Sequence, residues 1–231
     1  MNSAAVAIAL ADDLFVQCQT LSPWTVNYVD LEESLAIGSI SQELLAQGGV
    51  LYELAGLSYE ERDKRIFQRS ASDWNIASLS FFPSNNWPDV VASGYITALA
   101  SKIIVEDLKK TSESTAEQLV LVGREQTLHL AHWSQWISLL LVNPETKGEI
   151  SMALNNAIKE AGDLLPVGKD YDLLYERWAE ELKSKIAGFG LSAVSDVSRS
   201  SRVSGGSKVE KLIENLRGAR NPDGLSSYSI Y

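Results

Sequence analysis

Cysteine and histidine are the residues that this chain has least of, and their scarcity limits its chemistry. The 231 residues contain one cysteine, Cys18, and two histidines, His129 and His132. A single cysteine excludes an intrachain disulfide and a multi-cysteine zinc site. Because its neighbours are apolar, we interpret Cys18 as a buried structural thiol.

Positive charge is also scarce. The chain has 20 Lys and Arg against 30 Asp and Glu, a net charge of -10, which argues against nucleic acid as a partner because phosphate binding needs concentrated basic residues. The apolar run from Ala4 to Ala11 is interrupted by Asp12 and Asp13. This run is too short for a signal peptide or a membrane span. We therefore expect a cytoplasmic protein with no membrane partner.

Apolar residues recur at the helical period along most of the chain, and strand signals are weak. Asp30 and Asn86 are predicted N-caps, Ser114 opens a helix, and Pro88 fits a first helical turn. The predicted long helices span 3–21, 30–56, 86–110 and 114–141, with a short helix and a packed loop over 58–85 and further helices over 143–162, 170–188 and 209–217.

Long helices joined by short connections predict an all-α fold, a four-helix bundle with additional C-terminal helices. We assign the bundle to residues 1–190. Residues 191–231 are predicted to form a loop, a short helix and a tail that pack on the bundle or on a partner. Gly38, Gly48 and Gly49 lie inside the second long helix, where each costs about 1 kcal/mol against alanine. Very close helix packing there would explain them.

The glutamates of a carboxylate-bridged metal site are present, but the histidines that should follow them are misplaced. Ferritin-like di-iron bundles use a Glu-x-x-His pair on each of two helices, because residues i and i+3 share a helix face. Here Glu43 is followed at that spacing by Ala46, and Glu125 by Leu128. Both histidines fall on one helix. The sequence predicts no metal, catalytic or cofactor-binding residue, only a vestigial polar site of Glu43, Glu125 and His129.

Several arrangements of this vestigial site stay open. Glu125 and His129 lie one helical turn apart and either form a hydrogen-bonded pair that replaces metal contacts, or hold a proton or a metal. Glu43 is expected to face Glu125, with a cation between them, for which Lys102 and Arg124 are the candidates.

Two alternative functions follow from the same residues. One is a divergent metalloenzyme in which Asp13 or Glu106 joins Glu43, Glu125 and His129 at a carboxylate-rich manganese or iron site. The other is a stand-alone helical protein that forms a homodimer.

The C-terminal part of the chain concentrates basic residues in an otherwise acidic protein. This basic cluster either contacts an acidic partner surface, binds the phosphates of a nucleotide-like thioester carrier, or is a solvated, mobile loop. Its members are Arg199, Arg202, Lys208, Lys211, Arg217 and Arg220.

Several segments together resemble one family, the structural C-type subunit of bacterial phenylacetyl-CoA epoxidase, the ring-1,2 monooxygenase of phenylacetate catabolism. Residues 31–47, LEESLAIGSISQELLAQ, are similar to its second helix. Leu10-Ala-Asp-Asp with Leu21-Ser-Pro-Trp24 is similar to its first helix and the following turn. Glu125 and His129 match its Glu-Ala-x-Tyr-His, and residues 205–224 resemble its closing Gly-rich stretch. Residues 58–85 depart from the family pattern.

This resemblance implies a ferritin-like bundle that acts as a non-catalytic structural subunit of an oxygenase complex. It implies that iron and the coenzyme A thioester are bound by the partner, a paralogous di-iron catalytic subunit. The C-type subunit packs against that partner and keeps it folded and soluble.

Overall fold

Helices form nearly all of the secondary structure in the computed structural model. It describes residues 3–27, 30–83, 86–110, 116–166, 171–191, 197–204 and 206–220. The helices are α1 (Ser3–Leu21), α2 (Trp24–Asn27), α3 (Leu31–Leu54), α4 (Tyr59–Phe67), α5 (Trp87–Lys109), α6 (Ala116–Val142), α7 (Lys147–Glu160), α8 (Asp172–Gly188) and α9 (Gly206–Arg220). Two short strands, β1 (Asn75–Ile76) and β2 (Val203–Ser204), pair antiparallel. The all-α prediction is confirmed.

The helix boundaries agree with the sequence predictions at most ends. The Asp30 carboxylate accepts a hydrogen bond from the Glu33 N–H and caps α3, as predicted. Asn86 occupies the N-cap position of α5 without a side-chain hydrogen bond, so that capping prediction is wrong. Helix α7 starts at Lys147, later than predicted, and α9 is longer at both ends than predicted. The predicted helix starts at Ser114 and Asp170 lie outside the described residues.

The four long helices pack as two hairpins. In one, α1 packs on α3, with Asp12 opposite Tyr52, and in the other α5 packs on α6, with Gly94 opposite Trp133. Helices α3 and α6 then face each other and join the hairpins. Since neighbouring helices run antiparallel in each case, this arrangement is consistent with a ferritin-like bundle. Helix α5 is the most deeply buried and also contacts α7 and α8.

Two consecutive aspartates on α1 are buried, and each is paired by charged or polar groups from other elements. The Asp12 carboxylate accepts hydrogen bonds from the Tyr52 hydroxyl at 2.5 Å and from Arg65 and Arg69 at 2.9 Å. Burial raises the pKa of Asp12, but hydrogen bonds and charges from the two arginines outweigh it and leave that pKa below its usual value. Asp12 therefore fixes both α3 and α4 against α1.

Asp13 fixes the C-terminal segment in a similar way. Its carboxylate accepts from the Ala77 N–H at 2.9 Å and from the Arg202 guanidinium at 2.5 Å. Burial raises the pKa of Asp13 to about 6 against the opposing charge of Arg202. Arg202 also donates to the backbone carbonyls of Ala9, Asn75, Asp163 and Leu164.

The basic cluster is thus not a uniformly solvated loop. Arg202 is 10% exposed at its side chain, and Arg199 lies over the Tyr175 ring and pairs with Asp172. A second apolar cluster holds α9 against α1 and β1, and it consists of Phe15, Val16, Trp74, Ile76, Val209 and Ile213. The mobile-loop interpretation is therefore wrong for Arg199 and Arg202.

Two stretches, Ser3–Val26 and Trp87–Lys109, are long and apolar enough to cross a membrane by length and composition. In the most apolar part of each stretch, 67% and 89% of the residues are buried in the fold. Such burial is typical of core helices in a packed domain.

The helix glycines differ in what surrounds them. A Cβ on Gly48 would lie 3.3 Å from the Ala11 carbonyl oxygen, so close packing of α1 on α3 explains this glycine. Gly38 has only an ordinary contact, and a Cβ on Gly49 would have no neighbour within 4 Å. The prediction of close packing is wrong for Gly49.

Gly94 allows the tightest helix contact of the bundle and gives a test of the packing. An added Cβ would lie 2.5 Å from Trp133 Cε2, and the Trp133 ring is held by Trp87 and Phe82. We expect Gly94→Ala to lower the free energy of unfolding by about 1–3 kcal/mol, as overpacking does. Urea unfolding measures the change.

The matched control for this variant is Gly123→Ala on α6, where the added Cβ meets Val105 at an ordinary 3.7 Å. It should gain about 1 kcal/mol from helix propensity. Equal effects of the two substitutions would contradict the tight α5–α6 contact.

Candidate functional site

A layer of polar side chains lies between α3 and α6, where the two hairpins meet. We call it the α3–α6 polar layer. Residue numbers rise along α6 as they fall along α3, because the two helices are antiparallel. Its members are Glu33, Glu43 and Gln47 on α3, and Glu125, Gln126, His129, His132 and Trp136 on α6.

His129 and Glu43 form the centre of this layer. The distance from His129 Nε2 to Glu43 Oε2 is 2.6 Å, and the His129 side chain is only 3% exposed. Because an ionised carboxylate only accepts hydrogen bonds, Nε2 must carry the proton. Burial lowers the pKa of His129, against the opposing effect of Glu43. The imidazole is therefore a neutral donor at physiological pH.

Two glutamines complete the layer on one side of this pair. Gln47 Nε2 donates to Glu125 Oε2 at 2.8 Å, and Gln126 Nε2 donates to Gln47 Oε1 at 2.6 Å. Burial and the nearby Glu43 charge raise the pKa of Glu125, while the Gln47 hydrogen bond opposes them. Glu125 is thus bonded to an amide from the opposite helix.

Glu33 closes the layer on the other side. Its carboxylate oxygens contact His132 Nε2 at 3.0 Å and accept from Trp136 Nε1 at 2.9 Å. The Glu33 side chain thus pairs with α6 instead of completing a capping box with Asp30. Both histidines of the chain are consequently paired with glutamates of α3.

The structure places the predicted site residues in one layer but pairs them differently. Glu43, Glu125 and His129 do lie together, yet His129 pairs with Glu43 across the helices and not with Glu125 along α6. The prediction that Lys102 or Arg124 lies between these glutamates is wrong. Lys102 instead contacts Glu106 and Glu181, and Arg124 is exposed.

Sequence reasoning missed Glu33, Gln47 and Gln126. The available signal was weak: Gln47 lies one turn beyond Glu43, and Gln126 is adjacent to Glu125. Glu33 lies three residues after Asp30, a spacing that is typical of a capping box and does not indicate a contact with α6.

The described side chains of the α3–α6 polar layer do not form a set of metal ligands. Within the described ranges, no three His, Cys, Asp or Glu side chains converge closely enough to hold a metal ion. The candidate ligands Asp13 and Glu106 are engaged elsewhere, by Arg202 and by Arg177 with Lys102. Gln126 Oε1 is buried without a hydrogen-bond partner, but one amide oxygen is a poor substitute for the carboxylate and imidazole ligands of iron.

The polar layer also has little free space for a reactant. The cavity that adjoins His129 and Gln126 has a volume of about 10 Å³ and is lined mainly by apolar and aromatic side chains. That is about the space that one water molecule needs. The layer can hold a proton on His129 and join two helices, but the described geometry has no room for a substrate beside it.

The long helices pack in antiparallel pairs, and polar side chains of α3 and α6 lie between these two helices. The protein is therefore a helical bundle with an internal carboxylate–imidazole layer. The comparison with known families is consistent with that class: the model of the phenylacetic acid catabolic protein family matches residues 2–195. The chain belongs to this family, and the family acts in phenylacetic acid catabolism. No curated protein matches the chain.

The family match confirms the resemblance at the level of the family. It covers the bundle and ends before β2 and α9. It does not distinguish the C-type subunit from the A-type subunit of the family.

The burial of neutral His129 predicts a pH-dependent stability. Its folded-state pKa lies below the ordinary 6.5, so the unfolded chain binds more protons as the pH falls below that value. The contribution of His129 to the free energy of unfolding therefore decreases from pH 6.5 down to its folded-state pKa, whereas the contribution of Asp13, whose pKa is raised to about 6, changes in the opposite direction. His129→Gln removes this titration while its amide can still donate to Glu43. We expect the free energy of unfolding of the wild type, measured with urea relative to that of His129→Gln, to fall between about pH 7 and about pH 5.

His132→Gln is the control, because it removes the other, more exposed histidine and keeps His129 together with its burial, the largest cause of its lowered pKa. The pH dependence of its free energy of unfolding should follow that of the wild type. Parallel curves for the wild type and His129→Gln would contradict the assignment.

Proposed function

We propose that this chain is a non-catalytic structural subunit of a multicomponent phenylacetyl-CoA epoxidase and that it stabilises the di-iron catalytic subunit in phenylacetate degradation. The observation that carries the proposal is the pairing in the α3–α6 polar layer. His129 bonds to Glu43 and Gln47 bonds to Glu125, so these side chains satisfy one another instead of converging on a common centre.

The chemistry of this layer supports a structural role. In a metal-binding relative, paired carboxylates and histidines would need the charge of a metal to offset their burial. Here, Gln47 donates to a carboxylate, and neutral His129 donates to another. These hydrogen bonds stabilise the α3–α6 contact without a bound ion. Iron is accordingly assigned to the paralogous partner subunit.

The outer surface supports a stable partner. Helices α3 and α6 carry large apolar side chains that are exposed in the isolated chain, and apolar surface of this kind is common at protein interfaces. They are Leu31, Leu35, Leu45, Val120, Leu121, Leu128, Leu139 and Val142. Leu35 is 64% exposed and Leu128 is 66% exposed. We assign this surface, the α3–α6 outer face, to the partner subunit.

Affinity purification from the native cells tests the partner. We expect a tagged copy of this chain, from cells grown on phenylacetate, to retain a second helical chain and stoichiometric iron. The double variant Leu121→Lys with Leu128→Lys should lose both, because two charges replace apolar contacts in the interface. Mass spectrometry identifies the chain, and a colorimetric assay measures the iron.

The control is Met152→Lys on α7, which places the same charge at a 61% exposed apolar residue outside the α3–α6 outer face. It should retain the partner. Iron in this chain after separation of the partner would favour a metalloenzyme, and a partner-free, iron-free eluate would favour the homodimer.

Turnover of the assembled complex tests the non-catalytic assignment. Glu125→Gln preserves an acceptor oxygen for Gln47 but removes the charge. We expect the complex to keep wild-type turnover and the free energy of unfolding to change by no more than about 1 kcal/mol, the scale of one hydrogen bond. Oxygen-dependent consumption of phenylacetyl-CoA measures turnover.

The non-catalytic role would be contradicted by a tenfold or greater loss of turnover in a complex that still assembles. Such a loss corresponds to about 1.4 kcal/mol in activation free energy. Gln126→Glu is the companion variant, since it adds a carboxylate to the layer. It should lower stability, because the new buried charge has no cationic partner there.

A further inference from the structure

A separate cavity lies between α1, α3 and α4, on the side of α3 away from the α3–α6 polar layer. Its volume is about 440 Å³, within the range typical of small-molecule sites. The lining is mostly apolar and aromatic. The principal side chains are Phe15, Leu45, Tyr52, Tyr59, Ile66 and Phe67.

Gly49 leaves part of this space open. It lies inside α3, where glycine is the poorest helix former after proline, and helix packing does not explain it because a Cβ would have no neighbour within 4 Å. Gly49 instead lines the cavity. A larger side chain at this position would extend into the space that a ligand would occupy.

Arg62 gives the cavity a positive charge. Of the three arginines on α4 and the turn after it, Arg65 and Arg69 both pair with Asp12, whereas Arg62 has other contacts. In the described part of the chain, Arg62 makes one hydrogen bond, to the Gly49 carbonyl oxygen at 3.2 Å, and no ion pair to a carboxylate. A guanidinium with remaining donors beside an apolar cavity suits a carboxylate ligand.

A second charged side chain beside the cavity indicates how much negative charge a ligand can carry. Asp63 also lines the cavity, so its carboxylate opposes the approach of a multiply charged anion such as a phosphate ester. The aromatic lining favours a planar apolar body.

We propose that this cavity binds a small aromatic monocarboxylate, with its ring over Gly49 and between the aromatic side chains and its carboxylate on Arg62. This site is distinct from the proposed structural role, because it uses no residue of the polar layer and shares only Leu45 with the α3–α6 outer face. It would make the chain a ligand-binding subunit.

Calorimetric titration of the full chain with 2-naphthoate tests the site. We expect saturable binding by the wild type and binding at least roughly tenfold weaker for Gly49→Leu, because the leucine fills the cavity. Gly148→Leu is the matched control: this glycine also lies in a helix, has open space around its Cβ, and is remote from the cavity. It should bind like the wild type. Absence of binding by the wild type, or equal binding by Gly49→Leu, would overturn the proposal.

A second pair of measurements isolates the carboxylate contact. Arg62→Gln retains a donor for the Gly49 carbonyl but removes the charge, so its affinity for 2-naphthoate should fall by roughly tenfold or more, as for a lost charge-assisted hydrogen bond. Uncharged 2-naphthamide should bind the wild type and Arg62→Gln within about twofold of each other. An equal loss for acid and amide would overturn the role of Arg62.

Discussion

The burial of two consecutive negative charges, Asp12 and Asp13, is the constraint on which much of this structure depends. A buried carboxylate is costly unless it is paired and hydrogen-bonded. Consecutive residues on a helix point about 100° apart, so the two aspartates face different neighbours. Asp12 recruits α3 and α4 through Tyr52 and two arginines, whereas Asp13 recruits Ala77, directly after β1, and Arg202. One turn of α1 thereby positions elements from distant parts of the sequence.

Carboxylates in the bundle are stabilised in two different ways. Around α1, charges are neutralised by arginines. Between α3 and α6, the glutamates are satisfied by amides, imidazoles and an indole N–H. Neutral donors such as Gln47 and His129 stabilise carboxylates without completing a set of metal ligands. This difference connects the packing of the bundle to the structural role that we propose within the phenylacetic acid catabolic protein family.

Much of the fold was predictable because its signals are local. Helical periodicity, Pro23 after α1, the Asp30 cap and Pro88 in the first turn of α5 depend on residues within one or two turns. Part of the site was predictable too: Glu43, Glu125 and His129 do meet. The hydrogen bonds between them were not predictable, since residues on one helix face can bond to each other along that helix or to a neighbouring helix. Only the position of α3 against α6 decides between these two kinds of hydrogen bond.

The sequence by itself determined that the chain is all-α and that its histidines cannot supply two helices with ligands, because residue counts and helical spacing are independent of packing. Tertiary structure alone decided the partners of each charged group. Arg199 and Arg202 belong to a basic stretch in the sequence, yet they contact Asp172 and Asp13, which lie 27 and 189 residues away. Contacts at such separations depend on how the helices pack, which the local pattern of residues does not encode.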